Sequence, residues 1–333
     1  SIRNFFIIRN KKYFIDTDNT VLYYRPVAFD ISALLIKFFY KIPLIIEFNS
    51  FLEWEERNNG AKASVRTKFI SFIENLILKN ANLIVCVSEE LKNQLLKRGF
   101  SSEKVIYCSN GVDMNKFENL KKDKSLCKRL GLNNNIVIGF VGTFGPWHGI
   151  DLLCEAIIGF NKSNVKHEVK FLLIGDGSMR KFAEDKLSIF DNVIFTGKVS
   201  YQIVPNYLNL CDILLSPHKL PSSEKVFIGS PTKLFEYLAM KKIVIGTNLG
   251  QIKEILEPSI DLARNKDELE VMKNEVGIIS DQTPESLIKS LNFVLSNYKE
   301  LDFLGKNAYD KVLEFYTWKK KVSVIIKSYH EGY

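Results

Sequence analysis

Between Ser230 and Glu236 the chain reads SPTKLFE, which places an anion-binding chemistry and a diol-binding chemistry about one helical turn apart. Ser230 suits the N-cap of a helix and Pro231 its first position, where a missing N–H costs nothing. The N–H groups of Thr232, Lys233 and Leu234 are then free to face an anion, and Lys233 adds a full positive charge. Glu236 follows among Leu234, Phe235, Tyr237 and Leu238. A carboxylate there can accept two hydrogen bonds from vicinal hydroxyls such as those of a ribose. A solvated helix face is the plainer reading of the same Glu. On the sharper one, a single helix holds the phosphate and the sugar of a nucleotide.

Three more loops follow apolar runs. TFGPWHG (143–149) comes after IVIGFVG, and Gly142, Gly145 and Gly149 let backbone approach a ligand closely while a helix N-terminus faces it. His148 adds a donor, although glycines in such a loop also have purely geometric uses. In LLIGDGSMRKF, Asp176 and Ser178 read as helix caps. In FTGKVS, Lys198 and its neighbours can meet a base edge-on, and a tight turn explains Gly197 as well. The chain shows no serine-histidine-acid order, zinc-ligand spacing, phosphate-binding P-loop or complete GxGxxG. The chemistry must then depend on a bound, already activated donor.

Near-continuous apolar runs position these loops: PLIIEF, NLIVCVS, NIVIGFVG, KFLLIGDG, NVIFTG, DILLSP and KIVIGT, with helical stretches between them. Such runs imply parallel sheets covered on both faces, and ligands bind beyond the carboxyl ends of their strands. A length of 333 residues with 46% hydrophobic residues supports two doubly wound α/β domains, joined where the sequence turns polar near 115–134. The net charge of +8 favours an anionic partner, and the lack of arginine-rich tracts or aromatic RNA-binding patterns argues against nucleic acid. Five scattered cysteines read as reduced thiols of a cytoplasmic protein. Helix 62–79, KASVRTKFISFIENLILK, carries an apolar stripe of Val65, Phe69, Phe72, Ile73, Leu76 and Ile77 beside basic residues. Packing of that stripe on the first sheet is the expectation, with an anionic membrane surface as the alternative.

The array GFVGTFGPWHGIDLL, LLIGDG, FTGKV, CDILLSP and SPTKLFEYLAMKKIVIGT, preceded by LIVCVSEELK and SNGVDMNKF, resembles the retaining GT4-type glycosyltransferases of GT-B fold. The resemblance covers nearly the whole chain. It implies two Rossmann-like domains facing a cleft: an acceptor-side domain over 1–118, a nucleotide-sugar domain over 119–312, and a C-terminal helix over 313–333 that crosses back to the first. It assigns Glu236 to the ribose hydroxyls and the loop Gly142, Thr143, Gly145, His148, Gly149 to the diphosphate. It further places the helix start at Ser230, Pro231, Thr232, Lys233 and Leu234 on phosphate or sugar, and Lys198 with Val199 near the base. Asn49 and Asn110 fall on the acceptor side. The implied reaction moves a sugar from a UDP- or GDP-type donor to a saccharide or lipid-linked acceptor with retention, without cofactor, obligatory metal or dedicated general base. Cell-envelope polysaccharide synthesis at the inner membrane face fits the positive charge, and a peripheral membrane association is kept open.

Three departures qualify this reading. Ile228 stands where many relatives place a Glu, eight residues before Glu236, and Thr143 and His148 stand where many have Arg and Lys. A neutral or half-charged His leaves diphosphate neutralisation to Lys233, Lys225 or Lys219. Third, the chain begins at Ser1 without the first strand and glycine-rich loop of its relatives, so roughly sixty or more residues of the first domain are expected to be missing. Two rivals remain: a nucleotide-sugar epimerase of the same fold, and a relative that binds nucleotide sugars without transfer.

Overall fold

The computed structural model describes residues 20–58, 64–118, 120–163, 168–220, 226–261 and 274–332. The chain divides into two compact units, one comprising Ser1–Ser109, Ile228–Ser230 and Lys321–Tyr333, the other Asn110–Phe227 and Pro231–Lys320.

The first unit holds a parallel sheet in the order β1 (Leu22–Tyr24), β2 (Leu44–Phe48), β3 (Leu83–Cys86), β4 (Val105–Tyr107). All four residues of β3 are buried, as expected of a strand covered on both faces. The C-terminal helix Trp318–Glu331 sets Ile325 and Tyr329 against Ile45, Leu83, Val85 and Cys108.

The helix Val65–Asn80 opens on a capping box, with Ser64 Oγ accepting from the Thr67 N–H and Thr67 Oγ1 from the Ser64 N–H. Its packing corrects the sequence expectation. The helix is seated through Ile70, Ile73, Ile77 and Leu78, whereas Val65, Phe69, Phe72 and Leu76 are 85%, 52%, 62% and 41% exposed. Ile73 and Ile77 of the expected stripe are inside, whereas its other four members face out and Ile70 and Leu78 take their place. Arg66, Lys68 and Lys79 share the outer face with the exposed stripe, and its acidic residue, Glu74, is buried. In the neighbouring helix Ser32–Tyr40, Phe38 is 80% and Phe39 56% exposed. A cavity of about 680 Å³ is lined by Leu35, Phe38, Pro43 and Leu76 together with Lys37 and Lys41.

The second unit is built on a seven-stranded parallel sheet ordered β10-β11-β9-β8-β5-β6-β7. Its strands are β5 (Ile136–Val141), β6 (Val169–Ile174), β7 (Val193–Gly197), β8 (Ile213–Ser216), β9 (Ile243–Thr247), β10 (Ser259–Asp261) and β11 (Gly277–Ser280). Successive side chains alternate between two cores. Val137, Val141, Leu172 and Ile174 enter one, while Ile138, Phe140, Phe171 and Leu173 enter the other. The chain lays β6 and β7 on one side of β5, then returns to lay β8 and β9 on the other. The helices that follow β5 and β8 therefore lie on opposite faces of the sheet, and the crevice beyond the carboxyl ends of these two strands is where such sheets bind ligands. Every loop singled out from the sequence leaves a strand of this sheet, and the SPTKLFE helix precedes β9.

All five cysteines are free and buried. Among the described residues no helix is long and apolar enough to cross a membrane.

Candidate functional site

Three glycines lock the loops around the crevice. Gly149 has φ +65°, and a Cβ there would lie 1.8 Å from the Pro217 carbonyl oxygen, so the loop after β5 presses directly on the loop after β8. A Cβ on Gly175 would lie 1.9 Å from the Gly142 carbonyl oxygen, and one on Gly177 would meet the Phe144 backbone at 2.6 Å. The loops after β5 and β6 are also hydrogen-bonded, Gly142 N–H to Ile174 O at 3.0 Å and Phe144 N–H to Asp176 O at 3.0 Å. Asp176 and Ser178 are not caps: the helix Arg180–Leu187 starts from Met179 without a side-chain cap, Asp176 accepts from the Gly177 N–H, and Ser178 Oγ donates to Phe144 O. The glycine geometry moved the helix start past them. Gly145 lies under the Trp147 ring.

The helix that carries Glu236 runs Thr232–Ala239 with Pro231, not Ser230, as its N-cap. Pro231 offers no capping side chain, and its carbonyl accepts the Leu234 N–H at 3.0 Å. Leu234 is thus removed from the set of outward N–H groups, because the first turn closes on itself. Tyr237 anchors the helix to the end of β5 by accepting the Val141 N–H at 2.8 Å.

That anchoring holds Lys233 at the crevice. Lys233 is 7% exposed, its Nζ has no hydrogen-bond partner, and it sits 4.3 Å from the Phe140 ring centre. A Cβ on Gly142 would come within 2.8 Å of this Nζ, which places the ammonium directly against the loop backbone. Burial pushes the Lys233 ammonium down to about 7, with the Glu236 carboxylate acting against that shift. A buried cation without a partner is costly, and an anion would relieve that cost.

His148 is half-buried beside it, with Nδ1 against Thr143 O and 3.2 Å from Thr143 Oγ1. Burial and the nearby Lys233 push its imidazole down to about 3, so it is neutral at physiological pH rather than half-charged. His218, in the loop after β8, is buried with its ring centre 5.1 Å from that of His148 and its Nδ1 3.0 Å from Ser216 Oγ. Lys219 is engaged with Asp151 Oδ2 at 2.7 Å, and Lys225 lies outside the described residues. Lys219 also lies at the glycine loop, its N–H donating to Trp147 O at 3.3 Å, but its ammonium is taken up by Asp151, whereas the Lys233 ammonium faces Gly142 without a hydrogen-bond partner.

Glu236 is 8% exposed, and its Oε1 accepts a hydrogen bond from the Tyr201 hydroxyl at 2.9 Å. Burial raises the Glu236 carboxyl, while Tyr201, Lys233 and Lys116 favour its charged form. Tyr201 opens the short 3-10 turn Tyr201–Ile203, shortly after Lys198 and Val199, and the Lys116 ammonium lies 4.9 Å from its ring centre. Lys198 is exposed and Val199 packs against the core. The structure thus brings Gly142, Thr143, His148, Gly149, Lys233 and Glu236 around the crevice, with Lys198 and Val199 on the approach to Tyr201.

The remaining residues lie elsewhere. Asn49, in the first unit, donates from Nδ2 to Glu47 at 3.0 Å and holds its Oδ1 buried without a partner. Asn110 is half-buried at the start of the second unit. Ile228 and Ser230 group with the first unit, where the Ile228 carbonyl accepts from Ser88 Oγ at 2.6 Å. Sequence reasoning missed Tyr201 and His218. Each is a lone polar residue with no motif spacing, and the only available signal was its place in a loop after β7 or β8.

Residues 135–297 match the family model described as "Glycosyl transferases group 1", and residues 11–116 match "Glycosyltransferase Family 4". TuaH of Bacillus subtilis, named for teichuronic acid biosynthesis, is 32% identical over 59% of this chain and 47% of its own. CapJ of Staphylococcus aureus is 25% identical over 72% of this chain and 63% of its own. The chain thus spans less than two thirds of the length of these curated relatives. Among solved structures, a glycosyltransferase from Rickettsia africae superposes with a TM-score of 0.71 at 17% identity, covering 99% of this chain and 80% of that one. HepE of Anabaena in complex with UDP superposes with a TM-score of 0.67 at 17% identity, covering 90% and 75%.

Proposed function

Because this chain belongs to the group 1, family 4 glycosyltransferases and has their GT-B fold, we propose that it binds a nucleotide-diphosphate sugar and transfers the glycosyl group to a hydroxyl. The observation that carries the donor site is the buried, unpartnered Lys233 ammonium facing the Gly142 loop. A diphosphate there would accept hydrogen bonds from Lys233 and from backbone N–H groups at the helix start. Glu236 would take the ribose hydroxyls, and Lys198 with Val199 would border the base. A UDP-type donor is favoured over a GDP-type one because HepE has been solved with UDP and with UDP-glucose.

As the glycosidic carbon–oxygen bond to the donor breaks, negative charge collects on the leaving diphosphate. Lys233 and the fixed N–H dipoles stabilise it in a water-poor crevice, which lowers the barrier without reorganisation. Retention of configuration, with no general base supplied by the chain and no obligatory metal, belongs to the proposal. The acceptor is a saccharide or lipid-linked saccharide of the cell envelope, in keeping with the name of TuaH. The exposed Val65, Phe69, Phe72 and Leu76 stripe, flanked by Arg66, Lys68 and Lys79, fits the anionic cytoplasmic face of a bilayer.

Ile228 favours a second reading, a nucleotide-sugar-binding relative without transfer, since its aliphatic side chain cannot hydrogen-bond the sugar to be moved. Calorimetric titration of UDP, GDP and their sugar conjugates into the wild-type chain and Glu236→Ala tests the donor site. Binding of one series, weakened at least tenfold by the substitution, supports it. Absence of binding to a folded chain overturns it. Product analysis with a bound donor then separates transfer from epimerisation and from binding alone.

A further inference from the structure

We propose that Tyr201 is a positioning residue for nucleotide recognition, its phenol fixing the Glu236 carboxylate as an ionised, singly oriented acceptor for the ribose diol. This rests on the donor-site reading above. The Tyr201 hydroxyl donates to Glu236 Oε1 at 2.9 Å, which leaves Oε2 and the second lone pair of Oε1 as acceptors. Tyr201 is itself 53% exposed, so the pair borders open space on the Tyr201 side while the carboxylate is buried on the other.

A carboxyl in that position needs such a donor. Burial disfavours its charged form, and the groups facing it are Tyr201, Lys233 and Lys116. Tyr201 in turn faces Glu236 and Asp113, with the Lys116 ammonium over its ring. The phenol's hydrogen bond goes to Glu236 and not to Asp113, whose Oδ1 accepts from the Asn115 N–H. Loss of the phenol removes one donor to the anion, moves protonation of Glu236 to higher pH, and frees the side chain to rotate. A protonated carboxyl presents one O–H and one good acceptor where the diol needs two acceptors.

The test is titration of UDP and GDP into the wild-type chain, Tyr201→Phe, Glu236→Ala and the double variant between pH 5 and pH 8. Tyr201→Phe keeps the ring, and thermal melting confirms that each variant is folded. The expected result is about three- to tenfold weaker binding by Tyr201→Phe at pH 7. Its acid-side loss of affinity should fall at higher pH than in wild type, and the double variant should bind no more weakly than Glu236→Ala. Unchanged affinity and pH midpoint in Tyr201→Phe, with Glu236→Ala still weakened, overturns the role of Tyr201 and leaves the donor site standing. Tighter binding by Tyr201→Phe also overturns it, because the phenol then competes with the ribose for the same oxygen. Wild-type affinity in Glu236→Ala, or no binding by the wild type, removes the donor site and this role together.

Discussion

Replacing Lys233 by Met should make the chain more stable and a poorer nucleotide binder. Burial lowers the Lys233 ammonium from 10.5 to about 7. At about 1.36 kcal/mol per pH unit, keeping it charged in the fold costs roughly 4–5 kcal/mol. The substitution gives back about 1–2 kcal/mol by losing the contact with the Phe140 ring. The net gain is about 3 kcal/mol, which corresponds to roughly 6–12 °C in melting temperature for a unit of this size. The sign with pH follows from the lowered ammonium. The cost is fully present below about pH 7 and fades as pH rises toward 10.5. The melting gap between Lys233→Met and wild type should therefore be widest near pH 6 and narrow progressively above pH 8. Binding should move the other way, since losing a charge-assisted contact worth about 1.5–3 kcal/mol weakens a diphosphate about 10- to 150-fold. Scanning calorimetry across pH, paired with titration of UDP and GDP, reads both quantities. A variant that melts at or below wild type at pH 6 and binds nucleotide unchanged would refute the reasoning.

Glu236→Ala should erase any preference for UDP over its 2′-deoxy analogue, measured by competition titration. Wild-type affinity should itself fall as pH rises through about 7, because the free Lys233 ammonium must be charged to meet the diphosphate. Gly149→Ala should destabilise by more than about 1 kcal/mol in urea unfolding, since φ is +65° and the Pro217 oxygen occupies the space a Cβ would need. Phe69→Ser with Phe72→Ser should reduce sedimentation with phosphatidylglycerol vesicles without lowering the melting temperature, because both rings are more than half exposed.

Most strands were legible because their apolar runs are continuous, and those of β3, β8, β9 and β11 are buried throughout. The exception is β10, Ser259–Asp261, whose three residues lie at the sheet edge and carry no apolar run. The glycine loop and Glu236 were legible through residue type at fixed spacing. The first turn of their helix was read one residue early, since Ser230 is a good cap in isolation but the chain turns at Pro231. On Val65–Asn80 the expected stripe holds for Ile73 and Ile77 and fails for Val65, Phe69, Phe72 and Leu76, because periodicity marks a broad apolar face without saying which edge of it is covered. Tyr201 and His218 were invisible for a different reason: their partners, Glu236 and His148, are remote in sequence, and only the fold brings them within reach.

The contact between Gly149 and the Pro217 carbonyl has a consequence for how such a protein can diversify. It acts as a rivet between two loops: the Pro217 carbonyl oxygen fills the space a side chain at Gly149 would need, so the loops cannot be re-spaced there without parting them. Change at the proposed donor site is then channelled into stretches clear of that contact, such as 143–148 before it. Exchanging those stretches between relatives should transplant preference while the frame stays put, whereas inserting a single residue at the rivet should cost the fold itself.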